Sequence, residues 1–202
     1  MRMLATANDH DVVLAPTMSK ILDQFGHPMS DGYCTPSWLT ARLPLVDLDP
    51  CSNPRSTVRA KRRYSLELRL DGLRLAWIGS VFLNWPYSDP LPWALKLREE
   101  MLAGRCTSAI VLCKHDSSTE WWRTLVKDST ADQWQFFSRI QFDEPKELVA
   151  ARIEKFVAKG KSATAGEKSS NNFCSTIIHH RGPTAAVLAL EEFADRWVRV
   201  AA

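Results

Sequence analysis

Short apolar runs that stop at polar residues, with helix-patterned stretches between them, constrain this chain most. Residues 44–50 hold Leu45, Val46 and Leu48 and end at Asp47, Asp49 and a proline; residues 78–84 hold Ile78, Val81, Phe82 and Leu83 and end at Asn84; residues 108–113 are an unbroken apolar run after Ser108. Runs of this length bounded by turn residues read as strands. Between the last two, Trp93, Leu97 and Met101 recur every fourth residue and Gly104 closes the segment, which is the stripe and cap of an amphipathic helix. Ser118 or Thr119 then caps a helix through Trp122 and Leu125. Strands alternating with helices give an α/β fold with a mostly parallel sheet flanked by helices.

The remaining pattern completes the expectation. Residues 35–37, Thr-Pro-Ser, start a helix that buries Trp38, Leu39 and Leu43, with Thr35 as its capping hydroxyl. Residues 53–63 form a serine- and arginine-rich loop, and Tyr64, Leu66, Leu68 and Leu70 alternate with polar residues as a half-buried strand does. Further strands are expected over 135–142 and 173–178, and a closing helix over 183–198 with Val187, Leu190, Phe193 and Trp197 on one side. Residues 1–30 read as an arm or packing segment, 31–202 as a single domain, and 158–172, small and polar, as a mobile loop.

At 202 residues the chain can bury roughly 70% of its unfolded surface, enough for a core without staples. Lysine and arginine number 26 against 23 acids, a formal charge of +3 that does not by itself name a nucleic-acid partner. Five cysteines without C-x-x-C spacing fit reduced thiols, and no run reaches the ~18 apolar residues of a membrane span, so the expected location is cytoplasmic. Adjacent His179 and His180 point to opposite faces of a strand, so no metal site is expected.

Ligands of open parallel sheets bind beyond the carboxyl ends of the strands, so the polar tips are where chemistry is sought. Asn84-Trp85-Pro86-Tyr87 joins an amide, a stiff turn and an aromatic ring, the parts needed to hold a planar amine. It is similar to the N-P-P-Y signature of amino-methyltransferases, with Trp85 in place of the first proline. Together with Thr35-Pro36, Asp47-Leu48-Asp49-Pro50-Cys51-Ser52, Asp71-Gly72, Trp93, Asp116 with Trp121-Trp122, and Arg139-Ile140-Gln141-Phe142, the chain resembles the phage-type DNA N-6-adenine methyltransferase (Dam) family over roughly residues 33–142.

The resemblance implies a Rossmann-like fold, its sheet abbreviated because only 35 residues separate Asp49 from Asn84, that uses S-adenosylmethionine (AdoMet) to methylate adenine N6 in double-stranded DNA, in the cytoplasm of a host if the gene is phage-borne. It implies that Asn84 and the Trp85 carbonyl accept the amine hydrogens, that Pro86 fixes the turn, and that Tyr87 stacks on a base drawn out of the duplex. Asp49 is implied to line the cofactor site, with Asp47 in reserve and Thr35 and Asp116 beside it. No G-x-G-x-x-G loop is present. Arg55, Arg59, Lys61, Arg62 and Arg63 form the densest basic run and are candidates for phosphate contact. Cytosine N4 methylation, or DNA binding by a catalytically impaired protein of the same fold, are the alternatives.

Overall fold

In the computed structural model, which describes residues 22, 26, 28–127, 131–164, 173–182 and 188–198, the apolar runs pair into one seven-stranded sheet. Its strands are β1 (Val46–Asp49), β2 (Ala60–Arg63), β3 (Gly79–Leu83), β4 (Cys106–Lys114), β5 (Asp132–Phe136), β6 (Ser175–His180) and β7 (Ala194–Val198). Their spatial order is β2-β1-β3-β4-β6-β5-β7. β2, β1, β3 and β4 pair in parallel, whereas β4–β6, β6–β5 and β5–β7 are antiparallel. The sheet is therefore mixed, a correction to the mostly parallel expectation. β6 inserts in reverse between β4 and β5, so no neighbours on that side can run together even though β1 to β5 all point one way.

Alternation along the strands sends successive side chains to opposite faces. On one face Val81, Leu83, Ala109 and Val111 meet Ala94 and Leu97 of α2 (Leu91–Leu102) and Trp121, Trp122 and Leu125 of α3 (Glu120–Val126). On the other, Phe82, Ile110, Leu112, Trp134 and Ile177 pack with Leu39 of α1 (Ser37–Thr40), Leu43, Leu188 and Leu190. Thr119 caps α3 by accepting from the Trp122 amide at 3.4 Å, and Gly104 takes a left-handed φ of +69° beyond α2. A fourth helix, α4 (Lys146–Ala158), precedes the return into β6 and has no counterpart in the sequence reading.

Four local expectations are corrected. Residues 64–70 are turns: the Ser65 carbonyl accepts from the amides of Leu68 (3.2 Å) and Leu70 (3.0 Å), and Arg69 adopts φ +57°. Local bonding at a serine competes with the extended chain, and Leu68 is left 61% exposed. The basic stretch ends in β2, so Lys61, Arg62 and Arg63 belong to an edge strand and not to a loop. The expected closing helix is replaced where it is described: residues 194–198 form β7, because β5 presents an open edge that the segment pairs with from Ala194 to Val198. The strand expected over 135–142 lies earlier, as β5.

Most of the expected arm, and residues 165–172 of the expected loop, lie outside the described residues. Of that loop, Ala158 ends α4, and Gly160 at φ +69° follows it. All five cysteines are free thiols. Among the described residues no helix is long and apolar enough to cross a membrane, and no group of three His, Cys, Asp or Glu side chains is placed to hold a metal ion.

Candidate active site

β1 and β3 lie side by side in parallel, and the chain leaves β1 for β2 on one side before returning to β3 on the other. Such a reversal opens a crevice at the carboxyl ends of the two strands. Asp49 is the last residue of β1, and Asn84 directly follows β3. Both line one small cavity with Thr35, Cys51, Ser52, Asn53 and Ser56. That cavity holds about 10 Å³, space for a single water, so it is a junction and not a ligand chamber.

The junction is tied together by hydrogen bonds. Asn84 Nδ2 donates to Thr35 Oγ1 at 3.1 Å, and among the described residues no group donates to its Oδ1. The Asn84 backbone also bonds to the Cys51 thiol, which burial pushes well above the ordinary thiol range. Asp49 is 3% exposed. Burial pushes its carboxyl up to about 6, against a 3.3 Å hydrogen bond from the Ser56 hydroxyl and the nearby Arg63 charge, which pull it down.

Volume lies next door. A cleft of about 420 Å³ shares Cys51, Ser52 and Asn53 with the junction, and is closed by Tyr64, Glu67, Asp71, Gly72, Pro86, Ser88 and Trp93. Asp31 and Gly32 of a 3-10 turn (Met29–Gly32) complete the wall, and Ser88 Oγ donates to Asp31 Oδ2 at 2.5 Å. Gly72 packs so tightly that a Cβ there would lie 1.9 Å from the Pro50 carbonyl oxygen. The cleft is therefore shaped by direct contact between the Asp-Gly turn and the Asp49-Pro50-Cys51 turn.

The motif residues after β3 divide their roles. Trp85 is 2% exposed and meets Trp121 edge-on at 5.7 Å, inside the core shared with α3, so its indole is no wall of the cleft. Pro86 lines the cleft. Tyr87 is half-buried, its ring edge-to-face with Phe173 at 5.3 Å and Phe142 at 6.0 Å, and its hydroxyl is buried.

Other candidates sit elsewhere. Asp47 accepts from the Ser80 amide and hydroxyl, each at 2.8 Å, and from Lys61 Nζ at 2.8 Å; these bonds hold its carboxyl well below the usual range. It lines a 220 Å³ cavity with Thr107, Ser108 and His179, at the amino ends of β3 and β4 and away from Asn84. Thr35 does not cap α1, whose N-cap is Pro36; its hydroxyl serves Asn84 instead. Asp116 follows β4 and accepts from Ser118 Oγ at 2.6 Å, fixing the turn into α3, and lines neither the junction nor the cleft.

The basic run is partly spent on the protein's own acceptors. Arg55 donates to the carbonyls of Glu144 (3.0 Å) and Gly32, Arg59 to that of Leu43, Arg62 to that of Ile78 (3.2 Å) and Arg63 to that of Val58. Each guanidinium keeps further donors, and all five residues are exposed. Sequence reasoning missed the Thr35 bond, the Asp31 strap and the Phe142–Phe173 pair around Tyr87, because each joins distant segments and none carries a local pattern.

Of the comparisons with known proteins, a family model described as DNA N-6-adenine-methyltransferase (Dam) matches residues 25–191 of the chain. No curated protein and no solved structure matches it.

Proposed function

Because the chain belongs to the DNA N-6-adenine-methyltransferase (Dam) family, we propose that it methylates the N6 amine of an adenine turned out of double-stranded DNA, with AdoMet as donor. The observation that carries this reading is that Asp49 and Asn84 line one junction at the switch between β1 and β3, beside a 420 Å³ cleft. That volume is of the size small-molecule sites use. Its acidic wall suits a cationic ligand rich in hydroxyl groups: Glu67 and Asp71 in the cleft would hold the ammonium and ribose hydroxyls, and the charge of Asp49, buried at the adjoining junction, would add to the attraction. AdoMet supplies, when bound, an electrophilic methyl on a positively charged sulfur.

The chain's own residues must make the amine nucleophilic. The N6 lone pair is delocalised into the adenine ring, so the unassisted amine attacks poorly. Asn84 Oδ1 and the Trp85 carbonyl, accepting the two N–H groups, favour a tetrahedral nitrogen whose lone pair is free of the ring. Thr35 holds the amide nitrogen, so the oxygen is the end left for the base. Tyr87 supplies a stacking surface once the base has left the duplex. With AdoMet bound, transfer of its methyl would leave the bonding electron pair on sulfur, and the extra proton on nitrogen would pass to solvent. Trp85 contributes its carbonyl alone, so the exchange of proline for tryptophan leaves the chemistry intact. The exposed basic residues of β2 face phosphates in this reading, and the setting is the cytoplasm, where DNA is available.

The test is incubation of the protein with unmethylated DNA and radiolabelled AdoMet, followed by digestion to nucleosides. Label should appear in N6-methyladenine and fall at least a hundredfold in Asn84→Ala. Label in N4-methylcytosine would reassign the target, and DNA binding without incorporation would make the protein a binder of the same fold.

A further inference from the structure

β4 is longer than its partner β3: Leu83 pairs with Val111, and the strand then continues to Lys114. Lys114 therefore overhangs the loop that carries Asn84 to Tyr87. Its ammonium lies 4.7 Å from the centroid of the Phe173 ring and 5.3 Å from that of Tyr87. Among the described residues no carboxylate pairs with it, in contrast to Lys61 and Lys96, which reach Asp47 at 2.8 Å and Glu100 at 2.6 Å. A cation that rests on aromatic rings instead of an acid is held by the ring quadrupoles, and that attraction is weaker than the stacking of a whole base.

We propose that Lys114 is a positioning residue for the flipped nucleotide: it covers the Tyr87–Phe173 rings in the free protein and, when the base takes that place, moves to the phosphate of the same nucleotide. The inference rests on the reading of Tyr87 as the stacking surface. The chemistry fits both positions. One flexible four-carbon stem carries a point charge that satisfies ring quadrupole and phosphate alike, and the distance between ring and backbone of one nucleotide is within its reach. The exchange also keeps the Tyr87 and Phe173 rings covered until DNA arrives.

Lys114→Met keeps the stem and removes the charge; Lys114→Arg keeps the charge. With unmethylated plasmid DNA and labelled AdoMet, Lys114→Met should raise KM for DNA about tenfold and leave kcat within about twofold, while Lys114→Arg stays near the parent. Binding of a fluorescent duplex, measured across salt concentrations, should lose about 0.9 from its log–log slope in Lys114→Met, one phosphate contact fewer. An unchanged KM and an unchanged slope would overturn the proposal. If the parent incorporates no label, the methyltransferase reading fails, and the salt slope still decides Lys114: a reduced slope keeps the phosphate contact, and equal slopes refute it.

Discussion

Asn84 and Thr35, 49 positions apart in sequence, are joined by a 3.1 Å bond from the amide nitrogen to the threonine hydroxyl. The bond fixes which end of the amide is nitrogen, and so which end can accept from a substrate amine. Without it the side chain can turn and present donors to a donor. Thr35→Val removes the acceptor while keeping the shape. The loss of one such bond, about 1 kcal/mol, should slow methyl transfer roughly fivefold to tenfold, with little change in KM for AdoMet. Thr35→Ser should retain the rate. Initial rates at saturating AdoMet and DNA decide; a Thr35→Val enzyme as fast as the parent would show that the amide is oriented by something else.

Asp49 couples the site to stability. Burial pushes its carboxyl up to about 6, above the ordinary 3.8, so the folded state binds a proton more readily than the unfolded chain. Between about pH 4 and pH 6 this makes folding less favourable as pH rises. Asp49→Asn removes the cost. The variant should gain up to about 3 kcal/mol over the parent at pH 7, and the gain should vanish below pH 4. Urea midpoints at the two pH values measure it. The same charge should serve the cofactor: AdoMet affinity in the parent should fall as pH drops through 6, and calorimetric titration that finds equal affinity at pH 5 and pH 7 would remove Asp49 from the binding site.

His179 and His180 act in the same range with the opposite sign. Burial in β6 lowers each to about 4, below the ordinary 6.5, so the unfolded chain takes up protons that the folded protein refuses. Their contribution is complete above about pH 6.5 and is lost on acidification toward 4. Two histidines outweigh one aspartate, so the parent should weaken on acidification from 6.5. Replacing His180 by leucine should flatten that acid limb, by up to roughly 3 kcal/mol at pH 4. The difference between the two urea curves at pH 4 and pH 7 is the readout, and parallel curves would contradict it.

The parts of the fold legible in sequence were those whose signal is local. β1, β3 and β4 announce themselves as apolar runs, α2 by its four-residue stripe, and α3 by the Thr119 cap. The failures come from interactions that carry no periodic signature. The segment ending in Trp197 carries helical spacing but pairs with the edge of β5, and Tyr64 to Leu70 alternates like a strand but is held in turns by bonds to the Ser65 carbonyl. The site divides the same way. Asp49 and Asn84 stand at strand ends and could be read directly. Asp47, two residues from Asp49, could not be placed, because its fate depends on Ser80 and Lys61.

Trp85 is the position where the chain departs from the N-P-P-Y signature, and its surroundings show why restoring proline should fail. The indole is 2% exposed, meets Trp121 at 5.7 Å, and belongs to the core shared by the sheet, α2 and α3. Proline would keep the carbonyl used on the base but vacate most of the indole's volume beneath α3. Emptying a packed core site of a large aromatic costs about 3–5 kcal/mol, because the neighbours close in only partly. Trp85→Pro should therefore lower the urea midpoint sharply and reduce methylation through loss of folded protein. Trp85→Phe, which retains a ring against Trp121, should keep most of the activity at a smaller stability cost. If Trp85→Pro instead proves as stable as the parent and faster, turn stiffness, not core packing, governs this position.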